Sequence, residues 1–186
     1  MDTLELINNV LPYLEENTVD SISSNNTTVQ LLLDKVNMVR LSTLTYGYWF
    51  NTEKRTLPLT PEGKIETPTG ALAIYPNNLA NYEFRGEYLY DLDNGTYQFA
   101  APVACSIYID LKLEEMPYFA QLYIQWQAAE HAYAQDYGID QNKVYQILQL
   151  NAQSAKGMLE REHLRKKNYN SFRSGAGFRF LSALRN

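Results

Sequence analysis

Residues 47–60 read GYWFNTEKRTLPLT, and along them a helical sequence pattern gives way to a strand pattern. Upstream, Leu33, Val36, Val39 or Arg40, and Leu44 recur at helical spacing. Gly47 ends that period, and Tyr48, Trp49, Phe50 and Thr52 favour pleated backbone. The stretch therefore divides the chain into an N-terminal helical part and a β part.

Working outward toward the N-terminus, Asp2 and Glu5 have capping-box spacing, and Leu4, Ile7, Leu11 and Leu14 form one apolar stripe. Pro12 is expected to kink or shorten this first helix. The polar run from Ser21 to Thr28 reads as a loop whose last residues cap a second helix over about Val29 to Tyr46. The two helices are expected to form a hairpin.

Toward the C-terminus, turn residues cut the chain into short strands up to about Leu113: Pro58, Pro61-Glu62-Gly63, Pro68-Thr69-Gly70, Pro76-Asn77-Asn78 and Asp93-Asn94-Gly95. Asn94-Gly95 predicts a tight hairpin joining Tyr88-Leu89-Tyr90 to Tyr97-Gln98-Phe99. Alternation of Cys105, Ile107, Ile109 and Leu111 with polar neighbours predicts a strand buried on one face. Pro117 then fits the first turn of a third helix, with Glu114 and Glu115 at its positive end and Phe119, Leu122, Trp126, Ala129 and Tyr133 on one face. Gly138 ends it. Asp140 is placed to cap a fourth helix in which Val144, Ile147, Leu148, Ala152, Ala155, Met158 and Leu159 carry the period toward Lys167. The last residues lack periodicity and read as an extended arm.

The expected fold class is α+β: an antiparallel helical bundle of residues 1–46 and 114–169, a small antiparallel β domain of residues 47–113 inserted between helices two and three, and a C-terminal arm of residues 170–186. A chain of 186 residues buries one good core, or one core with a satellite. Its 45% hydrophobic and 20% charged content suits a globular body, and no apolar run approaches a membrane span. Met1-Asp2-Thr3-Leu4-Glu5 lacks the basic start of a secretory signal, so synthesis without export is expected. Cys105 is the single cysteine, which excludes an internal disulfide and suits a buried small hydrophobe.

Charge is segregated. The formal net charge is −5, yet no acid follows Glu162, while Arg165, Lys166, Lys167, Arg173, Arg179 and Arg185 do. An acidic body thus carries a basic tail in which Phe172, Phe178 and Phe180 are interleaved. Three readings arise: a solvated charged end, an arm docking on an acidic neighbouring protein, and an arm contacting DNA by phosphate pairing and base stacking. The acidic body repels a polyanion and favours the second. The 15 tyrosines suit contact surfaces as well as core positions.

Catalytic signatures are sparse. His131 and His163 are the two histidines, too few for most triads and histidine-rich metal sites. Glu160-Arg161-Glu162-His163 holds the Glu-x-x-His of di-iron bundles, but His131 has Ala128 three residues before it, so the second carboxylate is missing. This segment reads better as an exposed charged end. No Walker loop or Gly-x-Gly-x-x-Gly fingerprint is present. No enzymatic activity, cofactor or metal is expected.

The segment Tyr48-Trp49-Phe50-Asn51-Thr52-Glu53 resembles a junction of the tail tubular protein A family, the connector subunits of short-tailed bacteriophages. Residues 84–99, FRGEYLYDLDNGTYQF, are similar to a second family pattern through Arg85, Gly86, Leu89, Tyr90, Asp91, Thr96, Tyr97 and Phe99. Asp110, Leu111, Glu114, Pro117, Tyr123, Ile124 and Ala129 carry a third match, and AKGMLEREHLRKKNYN at 155–170 a fourth. Where the family often has arginines in the third helix, Gln121, Gln125 and Gln127 stand here. These glutamines suggest hydrogen bonds to a neighbour without electrostatic steering.

The resemblance implies a non-enzymatic virion protein, assembled in the host cytoplasm into a dodecameric ring in the tail. In that arrangement the ring joins the portal protein to a nozzle protein of the tail tubular protein B kind, with tail fibres as a further neighbour. Genomic DNA would pass through its channel without specific binding, and the basic arm would clasp the portal. The alternative is a DNA-binding head-completion protein that uses the basic aromatic tail.

Overall fold

A computed structural model of the chain describes residues 1–23, 25–78, 80–139 and 143–167. The arm expected at 170–186, with Phe172, Arg173, Phe178, Arg179, Phe180 and Arg185, lies outside the described residues, as does Asp140.

Helix α1 (Thr3–Val10) opens on Asp2, whose carboxylate accepts the Glu5 N–H at 2.7 Å. Pro12 tightens the next turn, Leu11–Leu14, into a 3₁₀ helix, and the chain leaves it through Glu15 at φ 59°. Ile7, Leu11 and Leu14 are buried with Leu6 and Val10. Asn8 then holds the loop, its amide exchanging two 2.9 Å bonds with the backbone of Val19. Helix α2 (Thr27–Thr45) is capped by Asn26, which accepts from the N–H groups of Thr28 and Val29.

Strands β1 (Thr52–Leu57), β2 (Ala71–Pro76) and β5 (Val103–Ile109) form an antiparallel sheet in the order β1-β5-β2. Central β5 pairs Ile107 with Glu53 on one side and Ile74 on the other. Strands β3 (Tyr82–Arg85) and β4 (Tyr88–Asp91) form a separate hairpin. Leu57, Ile65, Ile74, Leu89, Val103, Cys105 and Ile107 make a β cluster distinct from the helical one. Burial pushes the Cys105 thiol pKa up, as expected for a buried hydrophobe.

The hairpin expected at Asn94-Gly95 is corrected. β4 turns back onto β3 through Gly86-Glu87, with Gly86 at φ 66°, and residues 97–99 form no strand. The Asp91 carboxylate explains the difference. It accepts from the backbone of Asp93 and Asn94 and from the Asn94 side chain at 2.8–3.0 Å, so the chain closes a longer loop at a lone Asp91–Thr96 bridge.

Helix α3 (Tyr118–Tyr137) is central and packs against α1, α2 and α4 (Lys143–Lys166). Pro117 is its N-cap, one residue before the expected position. Glu114 and Glu115 belong to a preceding 3₁₀ turn, Leu113–Glu115. There Glu114 accepts from the Thr3 hydroxyl at 2.6 Å, and Glu115 from the Lys112 N–H at 2.8 Å. Gly138, at φ 81°, ends α3.

The fold is α+β, with the sheets between α2 and α3 in the chain. Two expected faces are corrected, however. In α3 the buried surface is Ala120, Gln121, Ile124, Gln125, Ala128, Ala129, Ala132 and Tyr133, whereas Phe119, Leu122 and Trp126 are half-buried. Alanines let neighbouring helices approach α3 closely from more than one side. In α4 only Leu148, Ala152, Ala155 and Leu159 are buried, Val144 is half-buried, and Ile147 and Met158 face solvent.

Candidate assembly surfaces

The junction residues act inward. Asn51 is 1% exposed, and its Nδ2 donates to the carbonyl of Leu44 at 2.7 Å and to that of Ile109 at 3.3 Å, while its backbone carbonyl accepts the Ile109 N–H at 2.9 Å. One side chain thus ties the end of α2 to β5. Thr52 donates its hydroxyl to the Tyr48 carbonyl at 2.7 Å. Gly47 has φ 75°, and a Cβ there would stand 1.9 Å from Cζ of Tyr108. Glu53 pairs with Arg55 on the exposed face of β1.

Tyr48, Trp49 and Phe50 form an aromatic cluster that also takes in α4. Tyr48 stacks on Phe50 at 5.7 Å and meets the His163 ring at 5.1 Å. The Trp49 N–H donates to Nδ1 of His163 at 3.2 Å. Burial, with Lys167 second, holds the His163 pKa below its ordinary value, which keeps Nδ1 free to accept. Burial first and the Glu160 carboxylate second push the Tyr48 phenol far above its usual range. The Glu-x-x-His segment is therefore not a wholly exposed end. Its histidine clasps the junction, and among the described residues no group of three or more His, Cys, Asp or Glu could hold a metal.

The second motif shapes a loop. The Arg85 guanidinium lies 3.9 Å from the Tyr90 ring centroid, Gly86 makes the hairpin turn, and Asp91 organises the following loop. Hydrogen bonds, the Asn94 side chain's first, lower the Asp91 pKa. Of the third-helix glutamines, Gln121 serves its own chain: Nε2 donates to the carbonyls of Leu113 and Met116 at 3.0 Å each. Gln127 donates to Glu130 within the helix. Gln125 Oε1 is buried and has no hydrogen-bond partner.

The outward-facing residues are others. Arg165, Lys166 and Lys167 are exposed at the end of α4, and Arg165 bonds Glu162 one turn back at 3.1 Å. Along α4, Ile147, Leu150 at 64% exposure, Met158 and Leu164 lie open on a flank away from the buried stripe. Sequence reading missed Leu150 and Leu164 and assigned the other two inward, because both flanks of α4 carry apolar residues. Tyr46, Tyr75, Tyr97, Tyr118 and Tyr137 are exposed as well, whereas Tyr48 and Tyr133 are buried.

Residues 4–169 match the family model of tail tubular proteins. The chain is also 31% identical over 172 residues to tail tubular protein A of Klebsiella phage KP34, covering 92% of this chain and 91% of that protein. The chain belongs to the tail tubular protein family.

Membership makes it a structural component of a bacteriophage virion, sited in the tail and assembled there with other tail proteins. No helix among the described residues is long and apolar enough to cross a membrane. Trp49, Phe50, Asn51, Thr52, Glu53, Arg85, Gly86, Tyr90 and Asp91 fall within the matched span, and most of them build the fold. The matched span ends at residue 169, before the Phe- and Arg-bearing arm.

Proposed function

We propose that this tail tubular protein is a ring-forming adaptor that joins the phage portal to the tail nozzle and gives the genome a channel, and that it has no enzymatic activity. The apolar flank of α4 carries the reading. A 24-residue helix that seats one stripe on the bundle and leaves Ile147, Leu150, Met158 and Leu164 open is suited to lateral packing against copies of the same chain. In the proposed arrangement twelve copies form the ring, built in the host cytoplasm on the portal. The nozzle protein seats below, and tail fibres attach at the same level. The acidic body lets DNA pass without adhering, while Arg165, Lys166, Lys167 and the arm beyond them engage the portal.

The test is mass measurement of the subunit with and without its portal, for the wild type and Leu150→Glu. A charge on this exposed flank changes subunit stability by no more than about 0.5 kcal/mol but opposes burial between copies. Loss of the ring with an unchanged unfolding midpoint is expected. A Leu150→Glu subunit that still forms full rings on the portal would refute lateral packing through α4.

A further inference from the structure

The start of α1 and the first turns of α3 enclose a groove of about 420 Å³, within the range of ligand-binding clefts. Tyr118, 60% exposed, Leu122, Tyr13 and Trp126 line it, the last two meeting edge to face at 5.4 Å. Glu5 stands exposed at the rim and makes no ion pair among the described residues. Gln125, 2% exposed, contributes the carboxamide oxygen that receives no donor. A buried acceptor without a donor is uncommon in folded proteins, and it asks for a donor from outside the described chain. The groove thus offers aromatic faces, one carboxylate and one open acceptor, and although Met1 also lines it, its amino terminus makes no ion pair with Glu5 among the described residues.

We propose that in the free subunit this groove seats the chain's own segment 168–186, with Phe178 and Phe180 against the aromatic walls and Arg179 donating to Gln125 Oε1 beside Glu5. The chemistry is complementary at each point. A guanidinium has donors and no acceptor, stacks on aromatic rings and pairs with carboxylates. Placement agrees with it. Tyr145 near the start of α4 reaches Glu130 and Tyr133 late in α3, so α4 runs back along α3 and ends toward the end where Tyr118 and Leu122 lie. Nineteen further residues span up to about 60 Å when extended, several helix diameters. Tethering also raises the arm's effective concentration at the groove toward the mM range. An arm held on its own subunit is withheld until a competing surface draws it away. The contact belongs to the free subunit and does not depend on the adaptor reading.

The test uses the full chain with a spin label on Ser182→Cys, in a Cys105→Ala background, and nuclear magnetic resonance of the body. The expected result is broadening of the Leu122 amide and the Trp126 indole signals, unchanged on dilution and lost in Glu5→Lys combined with Tyr118→Ala. Both replaced residues are exposed, and unchanged signals from the β domain would show that the double variant stays folded. Absence of broadening at residues 118–126 would overturn the proposal. Broadening that survives the double substitution would do so too, as would broadening that fades on dilution, the mark of a second copy's arm.

Discussion

Replacing Asn51 by alanine separates a fold-building junction from a docking patch. The side chain is 1% exposed and donates to two carbonyls from separate elements, at 2.7 Å to Leu44 and at 3.3 Å to Ile109. A net bond of the first kind contributes about 1 kcal/mol, the longer second one less, and a buried carbonyl deprived of its donor adds about 1–3 kcal/mol. Two features reduce the sum. Leu44 keeps the N–H of Gly47 at 3.2 Å, and the variant loses Asn51 Oδ1, itself buried without a partner. The net expectation for Asn51→Ala is about 2 kcal/mol of destabilisation, a fall of about 4–8 °C in Tm for a chain of this size. Denaturant unfolding of the purified subunit, followed by tryptophan emission, measures it. Asn51→Asp should cost more, because it turns a carboxylate toward two carbonyl oxygens. A midpoint within about 0.5 kcal/mol of wild type for Asn51→Ala, together with failure to join the tail, would refute the structural role and make the motif a contact surface.

Gly47→Ala should lose about 3 kcal/mol or more, combining the left-handed φ of 75° with the clash against Tyr108; Tyr108→Ala should restore only the steric part, as a double-mutant cycle of unfolding midpoints would show. For His163 burial holds the folded pKa below the ordinary imidazole value of 6.5, so the fold prefers the neutral ring. Its contribution is fully present above that value and is lost as pH falls from there through the depressed folded pKa. The stability of His163→Gln should therefore depend less steeply on pH across that window than that of wild type, and equal slopes would refute the neutral clasp on Trp49.

The sequence by itself determined the order and kind of most elements and a change from helix to strand after Gly47, although Trp49, Phe50 and Asn51 form a turn and β1 begins only at Thr52. Those features rest on local physics: Asp2 as a cap, Pro12 shortening a helix, Gly138 ending one, and the alternation through Cys105 and Ile107. The Trp49–Glu53 and Arg85–Asp91 patterns also pointed to the family before any partner of theirs was known. Their roles were not legible, because Asn51 acts on a carbonyl in β5 and Trp49 on a histidine in α4, both distant in the chain. Asn94-Gly95 had the composition of a tight hairpin, yet which strand β4 pairs with is a choice among long-range partners, and the Asp91 carboxylate weighted it toward β3. Helices α3 and α4 carry apolar residues on more than one flank, so periodicity alone could not say which flank meets the bundle. Only tertiary packing decided that Gln121 and Gln125 go inside while Ile147 and Leu150 stay out, because burial is a property of what lies across from a residue and not of the residue's own spacing.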